Sequence, residues 1–549
     1  MVFAAQVKLR SDGKTEEANL IKEACFSSPT RAQKINKAWR ETQGNHTVKP
    51  YTPCEALAVL SQADLSKSSY QFLRNGAKAQ GADIYPPYYK VKEAKLECYP
   101  PNDADLIVTD DKVEIKLQAL LDLTVSRLVQ LQEPVLMGLP PSTLSELRLV
   151  SKWGCDGSGG HSLYKQKSDV DDLLFDSNVV MTCLVPLQIY VVADGLKKVV
   201  WQNPRPSSTR FCRPLRVDFH KETPEFVLSI KSEMDEQIKN LQPTIVERDA
   251  IQNMVHVEHD LCMSMIDGKT VNVLTGNASS QTCNVCGVTP KGINDIDGVL
   301  SRAIKDDTTD HGLSTLHAYI RFFEWLYHVS VRLEVKSWRK TKDLKEQVEA
   351  REQKIQKEFR EQMGLLVGVV LQGKGTTHDG NTSRRFFENY GTSSSITGIN
   401  HDLIFRCNVI LKVMSCGFEV DTVAFKTYAL DTARLYVREY GWYPMPAAVH
   451  RVLIHGADII SVALLPIGML SEDAQESRNK DFRRYRAKRC KKTSRVETNK
   501  DLINILLTSS DPIISTLRPL PPKPKRSMCP AMLALLKGPT SPLSPHEPS

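Results

Sequence analysis

The chain has 549 residues, 41% hydrophobic and 25% charged, an ordinary globular composition that excludes wholesale disorder, collagen and a coiled-coil rod. That length exceeds what one hydrophobic core serves, so several domains are expected. The formal net charge of +8 permits a polyanionic partner without requiring one.

The longest apolar runs, 179–192 and 459–470, are broken by polar residues and prolines, so no membrane span is expected. The opening MVFAAQVKLRSDGK has neither the basic leader nor the apolar stretch of a signal peptide. Thirteen cysteines, an odd number without such a signal, imply reduced thiols, and paired cysteines then read as metal ligands rather than disulfides.

No repeat of solenoid or propeller period is present. Residues 1–50 are polar and basic, with a helix predicted over Ser28–Thr42. Its Arg31, Lys34, Lys37 and Arg40 recur at three-residue steps and roughly share a face. A helical segment at Cys54–Asp64 precedes an extended stretch, YPPYYK, with Lys90, Lys92 and Lys95 at and beyond its end. A long helix is predicted over Val113–Gln132.

Between Leu147 and Asp267 the pattern shifts to strands. ELRLVSKWGCDG alternates and stops at glycine, VVMTCLVPLQIYVV reads as one long strand or two abutting ones, and FCRPLRVDF alternates. ETPEFVLSIKSEMDEQIKNL is a helix with proline near its start, and NMVHVEHDLCMSMIDGK returns to strand. Three strands, a helix and a strand make a mixed α/β order. Residues 295–470 read as mostly helical. Leu344, Val348, Ile355 and Phe359 form an apolar stripe on a heavily charged helix, expected to lie on a core rather than to form a dimer seam. From Arg518 onward the chain is proline-rich with little apolar pattern, and a disordered tail is expected.

Three constellations carry chemistry. Cys283 and Cys286 form a CxxC, half of a tetrahedral zinc site. No second CxxC exists, and the best remaining ligands are His450 and His455 in AVHRVLIHGAD. Five helical residues turn through about 500°, so the two imidazoles would not share a face; Gly456 suggests that the helix distorts or ends there. The alternative is a redox or incidental CxxC with two unrelated histidines. Asp156 and Asp267 each stand at a strand end before glycine, where paired carboxylates would suit Mg²⁺ and where a lone aspartate is commonly a turn residue. In SEDAQESRNKDFRRYRAKRCKK, Ser471 is a plausible helix cap, and Lys480 and Arg483 follow Glu476 at i+4 and i+7 on one face. With Arg484 and Arg486 they make a basic stripe one turn from a carboxylate. That suits a metal held against a phosphate with the flanking backbone gripped; a solvated face or a nuclear-localisation run would look similar.

Other signals are weaker. Strand alternation sends His256 and His259 to opposite faces, and His317 reads as a packed helix residue. LQGKGTTHDGN lacks the Lys-Ser/Thr ending of a phosphate loop, which argues against an ATPase.

Taken together, WGCDGSGGHSLYKQ, SMIDGKTVNVLTGNASSQTCNVCG, VHRVLIHGADIISVALLPIGMLSEDAQESRNKDFRRYR and DLINILLTSSDPIIS resemble Transib DNA transposases and, more distantly, the catalytic subunit of the V(D)J recombinase. The likeness runs from about Ser145 to Leu517. It implies a ribonuclease-H-like DDE core: Asp156 first, Asp267 second and Glu476 third, with Glu472 as the competing choice. It also implies a large helical insertion between the last two, tied to the core by zinc on Cys283, Cys286, His450 and His455.

The implied organisation is a mainly helical DNA-binding and dimerisation region over 1–145 and the first part of the core over 146–282. The zinc-stapled insertion follows over 283–460, core completion over 461–517 and the tail over 518–549. The implied activity is cut-and-paste transposition with two Mg²⁺ (or Mn²⁺) per active site: nicking, flank hairpins, then joining to target DNA by a nuclear homodimer. Whether an accessory subunit is needed stays open. Arg31, Lys34, Lys37, Arg40, Lys480, Arg483, Arg484 and Arg486 are the expected DNA contacts. The competing readings are a non-enzymatic, zinc-stapled DNA-binding descendant and a purely hydrolytic structure-selective nuclease.

Overall fold

The structure is a computed structural model, and it describes residues 2–26, 34, 49–159, 178–193, 195–248, 250–251, 253–339, 341–371, 375–520 and 527–538. Contacts divide the chain into two units, Met1–Ala94 and Lys95–Ser549.

The first unit holds α1 (Val2–Ser11), α2 (Thr15–Phe26), α3 (Pro53–Gln62), α4 (Lys67–Ala79) and most of α5 (Tyr88–Leu96). A capping box starts α3: Thr52 accepts from the Glu55 amide, Glu55 reaches back to the Thr52 amide, and Pro53 fills the first position. YPPYYK is extended only to Pro87. A helix starts at Tyr88, directly after the prolines, and Tyr70 donates to the Pro86 carbonyl at 2.8 Å. The helix predicted over 28–42, with Arg31, Lys37 and Arg40, lies outside the described residues, and Lys34 is an isolated described position within it.

The second unit is built on an eight-stranded sheet. Its elements begin with β1 (Leu106–Val108), β2 (Lys112–Ile115), α6 (Leu117–Leu136), α7 (Pro141–Leu144), β3 (Leu147–Gly159), β4 (Asn178–Ala193) and β5 (Leu196–Gln202). They continue with β6 (Arg213–Asp218), α8 (Pro224–Lys239), β7 (Thr244–Glu247), β8 (Met254–Met263) and α9 (Gly268–Leu274). The strand order is β1-β2-β6-β4-β3-β8-β7, with β5 paired to β4. β3 runs antiparallel to β4 and parallel to β8. The apolar run of β4 is buried on both faces, as a central strand requires. Pro186 is tolerated there because it sits at a register shift, opposite Ser151.

The long helix predicted from Val113 begins only at Leu117 and runs on to Leu136. Val113 to Ile115 are strand because Val113 pairs with Val217 of β6, and Pro134 is accommodated in the helix's last turn. The short β7 and the Lys-containing β5 carry too little alternation to be read from sequence.

The insertion continues with α10 (Ile296–Leu300), α11 (Thr315–Val331), α12 (Lys345–Met363), the pair β9 (Val370–Leu371) and β10 (Gly375–Thr376), and α13 (Gly380–Glu388). It ends with α14 (Tyr390–Thr397), α15 (His401–Ser415), α16 (Thr422–Tyr440) and α17 (Ala447–Ser461). α11 is apolar nearly all round and is buried accordingly, with Phe322, Phe323, Trp325 and Leu326 fully enclosed. α12 buries its stripe at Val348, Ile355 and Phe359, as expected, although it starts at Lys345, after Leu344.

The chain then returns to the sheet through α18 (Asp473–Lys488), α19 (Arg495–Ser510) and α20 (Pro512–Leu517). Buried Lys152 of β3 clamps the turn before α18, donating to the carbonyls of Met469 (2.8 Å) and Ser471 (2.6 Å). Burial lowers its pKa to about 8. Ser264 donates to Leu470 beside it. Part of the expected disordered tail is ordered: Pro530–Leu533 form α21, with Met532 and Leu535 buried and Leu536 bridged to Val420. Apolar side chains clustered over 528–536 supply what the prolines obscured.

Candidate active site

β3 and β8 lie side by side, and their ends meet α18. Gly154 sets this approach. A Cβ there would lie 2.0 Å from the Met265 carbonyl oxygen, so only glycine lets the 264–266 segment press against β3. The amides of Ser264 and Met265 both donate to the Trp153 carbonyl at 3.1 Å. Asp156 on β3 and Asp267, two residues past Met265, thereby reach one cavity.

That cavity, of about 320 Å³, is lined by Asp156, Asp267, Glu472 and Glu476, together with His317, Asn479, Lys480 and Arg483. Asp267 caps α9, accepting from the Thr270 amide at 2.7 Å. The turn-residue reading of that aspartate is thus correct in local geometry and does not conflict with a site role. Asn479 donates to Asp156 Oδ2 at 2.7 Å. The Asp156 carboxyl is pushed up to about 7, first by burial and then by the charges of Asp267 and Glu222. A cluster of oxygen donors with that much unrelieved negative charge fits hard divalent cations.

The two candidate glutamates differ. Glu472 is buried, and its Oε1 accepts from the Ser314 hydroxyl, from the His317 amide at 3.1 Å and from His317 Nδ1 at 3.0 Å. Burial opposes the charged forms of both partners, but their contact prevails: the His317 pKa is raised and that of Glu472 is lowered. Glu476 is half-buried and has no side-chain hydrogen bond or ion pair among the described residues, which leaves its carboxylate available.

Three residues beyond the sequence reading stand here: Asn479, which holds Asp156, together with His317 and Glu222. His317 is not simply packed: it pairs with Glu472 and lines the cavity. Its position three residues after the capping Ser314 was the available signal, because it marks a first-turn residue at a helix mouth. Glu222 acts on Asp156, lies against Gly157 and pairs with Lys269 at 3.3 Å. No spacing reveals it, since the register of β6 against β4 delivers it.

The basic stripe divides. Lys480 and Arg483 are exposed at the cavity, and Arg483 donates to Ser158 Oγ at 2.8 Å and to the Gly159 carbonyl. Arg484 is exposed but pairs with Asp481 at 3.2 Å. Arg486 is buried over the Phe219 ring, so it is not available as a surface phosphate contact.

The second cluster is Cys283, Cys286, His450 and His455, all buried, with ligand atoms within 4.8 Å of one another. Cys286 Sγ lies 3.5 Å from His450 Nε2, and His455 Nε2 is buried without a partner. The Cys286 thiol is lowered, chiefly by the S–H that Cys283 donates to it, and that of Cys283 is raised. Four soft and borderline donors converging in a dry site fit tetrahedral zinc. The expected break at Gly456 is absent, for α17 runs unbroken to Ser461. The long imidazole arms span the angular gap. Gly456 instead makes room for Phe425, whose Cε1 would lie 3.1 Å from a Cβ there.

Residues 149–281 match the family described as the recombination-activation protein 1 (RAG1) RNase H domain. The segment is thus similar to RAG1 ribonuclease-H domains. It holds Asp156, Glu222 and Asp267 and stops just short of Cys283, and it supports the resemblance drawn from the motifs. No curated protein sequence matches the chain. Among solved structures, a Drosophila P element transposase strand transfer complex aligns over 88% of this chain and 100% of its own, at 9% identity and a TM-score of 0.33. The likeness to RAG1 ribonuclease-H domains rests on the family match over residues 149–281.

Proposed function

We propose that the chain is a cut-and-paste DNA transposase that nicks element ends, forms flank hairpins and joins the freed 3′-hydroxyls to target DNA. The observation that carries this reading is the convergence of Asp156, Asp267 and Glu476 on one cavity whose lip bears Lys480 and Arg483.

In this reading the three carboxylates hold two Mg²⁺ (or Mn²⁺). When bound, the ions would stabilise the attacking and leaving oxygens of an in-line displacement at phosphorus. Asn479 fixes the Asp156 carboxylate and Thr270 fixes that of Asp267, so both ligands are oriented before substrate arrives. Glu472 holds Ser314 and His317 through Oε1 and leaves Oε2 unpartnered; in this reading it orients the imidazole at the rim, and the unengaged Glu476 is the third ligand. Lys480 and Arg483 neutralise backbone phosphates beside the scissile bond and carry no sequence information by themselves. Zinc on the Cys/His cluster would join the 283–286 knuckle to α17 and so hold the insertion to the core. Two ends demand two active sites, hence a homodimer, and a DNA substrate of this kind implies the nucleus.

A strand-transfer assay tests the reading. Pre-cut duplexes from the DNA flanking the chain's own coding sequence are incubated with supercoiled plasmid and Mg²⁺. Joined products that disappear with Asp156→Asn are expected. Cleavage without joining would favour the hydrolytic nuclease, and specific binding without either would favour the DNA-binding descendant.

A further inference from the structure

Beside the carboxylates lies a larger cavity, of about 850 Å³, walled by α8, α9, α11 and α17 and sharing Asp267 and His317 at its rim. The volume is within the range of about 300–1,000 Å³ that encloses a small organic ligand. Besides the fully buried Trp325 Nε1, its lining includes two donors with no acceptor among the described residues. Asn284, 5% exposed, leaves Nδ2 unpartnered. Arg451 donates one nitrogen to the Gly312 carbonyl at 2.9 Å and leaves Nε unpartnered. Buried donors without acceptors are costly, and an acceptor on a ligand would relieve both.

The rest of the lining is two-ended. Trp325, Tyr443, Leu313 and Val273 are apolar or aromatic. Lys269 and Arg321, more than half exposed, meet solvent; each is shared with one carboxylate, Glu222 at 3.3 Å and Glu324 at 2.7 Å. A suitable ligand therefore carries acceptors on a ring at one end and an anionic group at the other.

We propose that this cavity binds a free nucleoside monophosphate, its base acceptors on Asn284 and Arg451, its ring against Tyr443, and its phosphate toward Lys269 and Arg321. The cavity meets the proposed cleavage site at Asp267 and His317, but the contacts proposed for the nucleotide include none of the three carboxylates.

Titration calorimetry of the full chain, without added divalent metal, tests it with the four deoxynucleoside 5′-monophosphates and with inorganic phosphate. At least one nucleotide is expected to bind one-to-one, with phosphate alone weaker by about tenfold or more. Arg451→Met should weaken the nucleotide by about tenfold. Ala448→Trp, which fills the cavity from an exposed position and tolerates a folding check by melting temperature, should abolish binding. Glu476→Gln should bind as the unaltered chain does, so failed cleavage and failed nucleotide binding remain separable. Absence of binding by every nucleotide, or equal affinity in folded Ala448→Trp, would overturn the proposal.

Discussion

Asp156 shows how much one carboxylate's surroundings decide. In the metal-free protein its pKa of about 7 lies above the ordinary 3.8, so the folded chain keeps a proton that the unfolded chain gives up. Its contribution to stability should therefore fall as pH rises from 3.8 to about 7, and Asp156→Asn should remove that part of the slope. Because ions bind the deprotonated site, added Mg²⁺ should raise the melting temperature above about pH 7 and do little well below it. Melting curves across pH, with and without Mg²⁺, check both signs.

His317 gives a second test at this scale. His317→Ala should lower cleavage while leaving the DNA gel shift intact, because Glu472 loses its partner but Lys480 and Arg483 remain. Loss of DNA binding in that variant would contradict a role at the rim. Asp156, Asp267 and Glu476 were legible in sequence because each sits in a recognisable motif. His317, Glu222 and Asn479 were not, because strand register and helix placement, rather than neighbours in the chain, bring them to the site.

Among the elements, packing decides what local pattern leaves open. The β3 strand carries Asp156 close to the segment after β8 because Gly154 removes the side chain that would separate them. The α6 helix is tied to α20 by Arg127, whose Nε lies 2.9 Å from Asp511 Oδ2 with both side chains buried. Arg127→Ala leaves that carboxylate buried and unpaired, and should cost about 3–5 kcal/mol in denaturant unfolding. Cys283→Ser should reduce bound zinc and lower the melting temperature by roughly 10 °C, since structural zinc contributes folding energy directly. Metal analysis and calorimetry on the purified variant check this, and full zinc content with unchanged melting would refute a structural metal.

The strongly alternating strands and the α8 and α12 helices were readable from periodicity. The start of α6, the short β7 and the helix within the tail were not, because tertiary pairing overrode a weak local signal.

At the scale of the molecule, the segment similar to RAG1 ribonuclease-H domains contributes two of the three proposed metal ligands, and α18 supplies the third only after a long helical excursion. The site is complete only once residues far apart in sequence have docked. Lys152 and Ser264 fasten that return, and α18 itself reaches back to the sheet through Gln475 on the Met181 carbonyl and Arg478 on the Cys212 carbonyl. A divided site of this kind couples catalytic competence to folding of the whole second unit.

The most direct test is strand-specific cleavage. Purified chain and Mg²⁺ are mixed with end-labelled duplexes spanning the boundary of its own flanking DNA, with Asp267→Asn in parallel, and the products are run on a denaturing gel. The expected result is a nick followed by a flank hairpin, both missing in Asp267→Asn although the variant still shifts the DNA. Cleavage that persists in Asp267→Asn, or bound DNA that the unaltered chain never cuts, would contradict the assignment of these carboxylates to phosphoryl transfer.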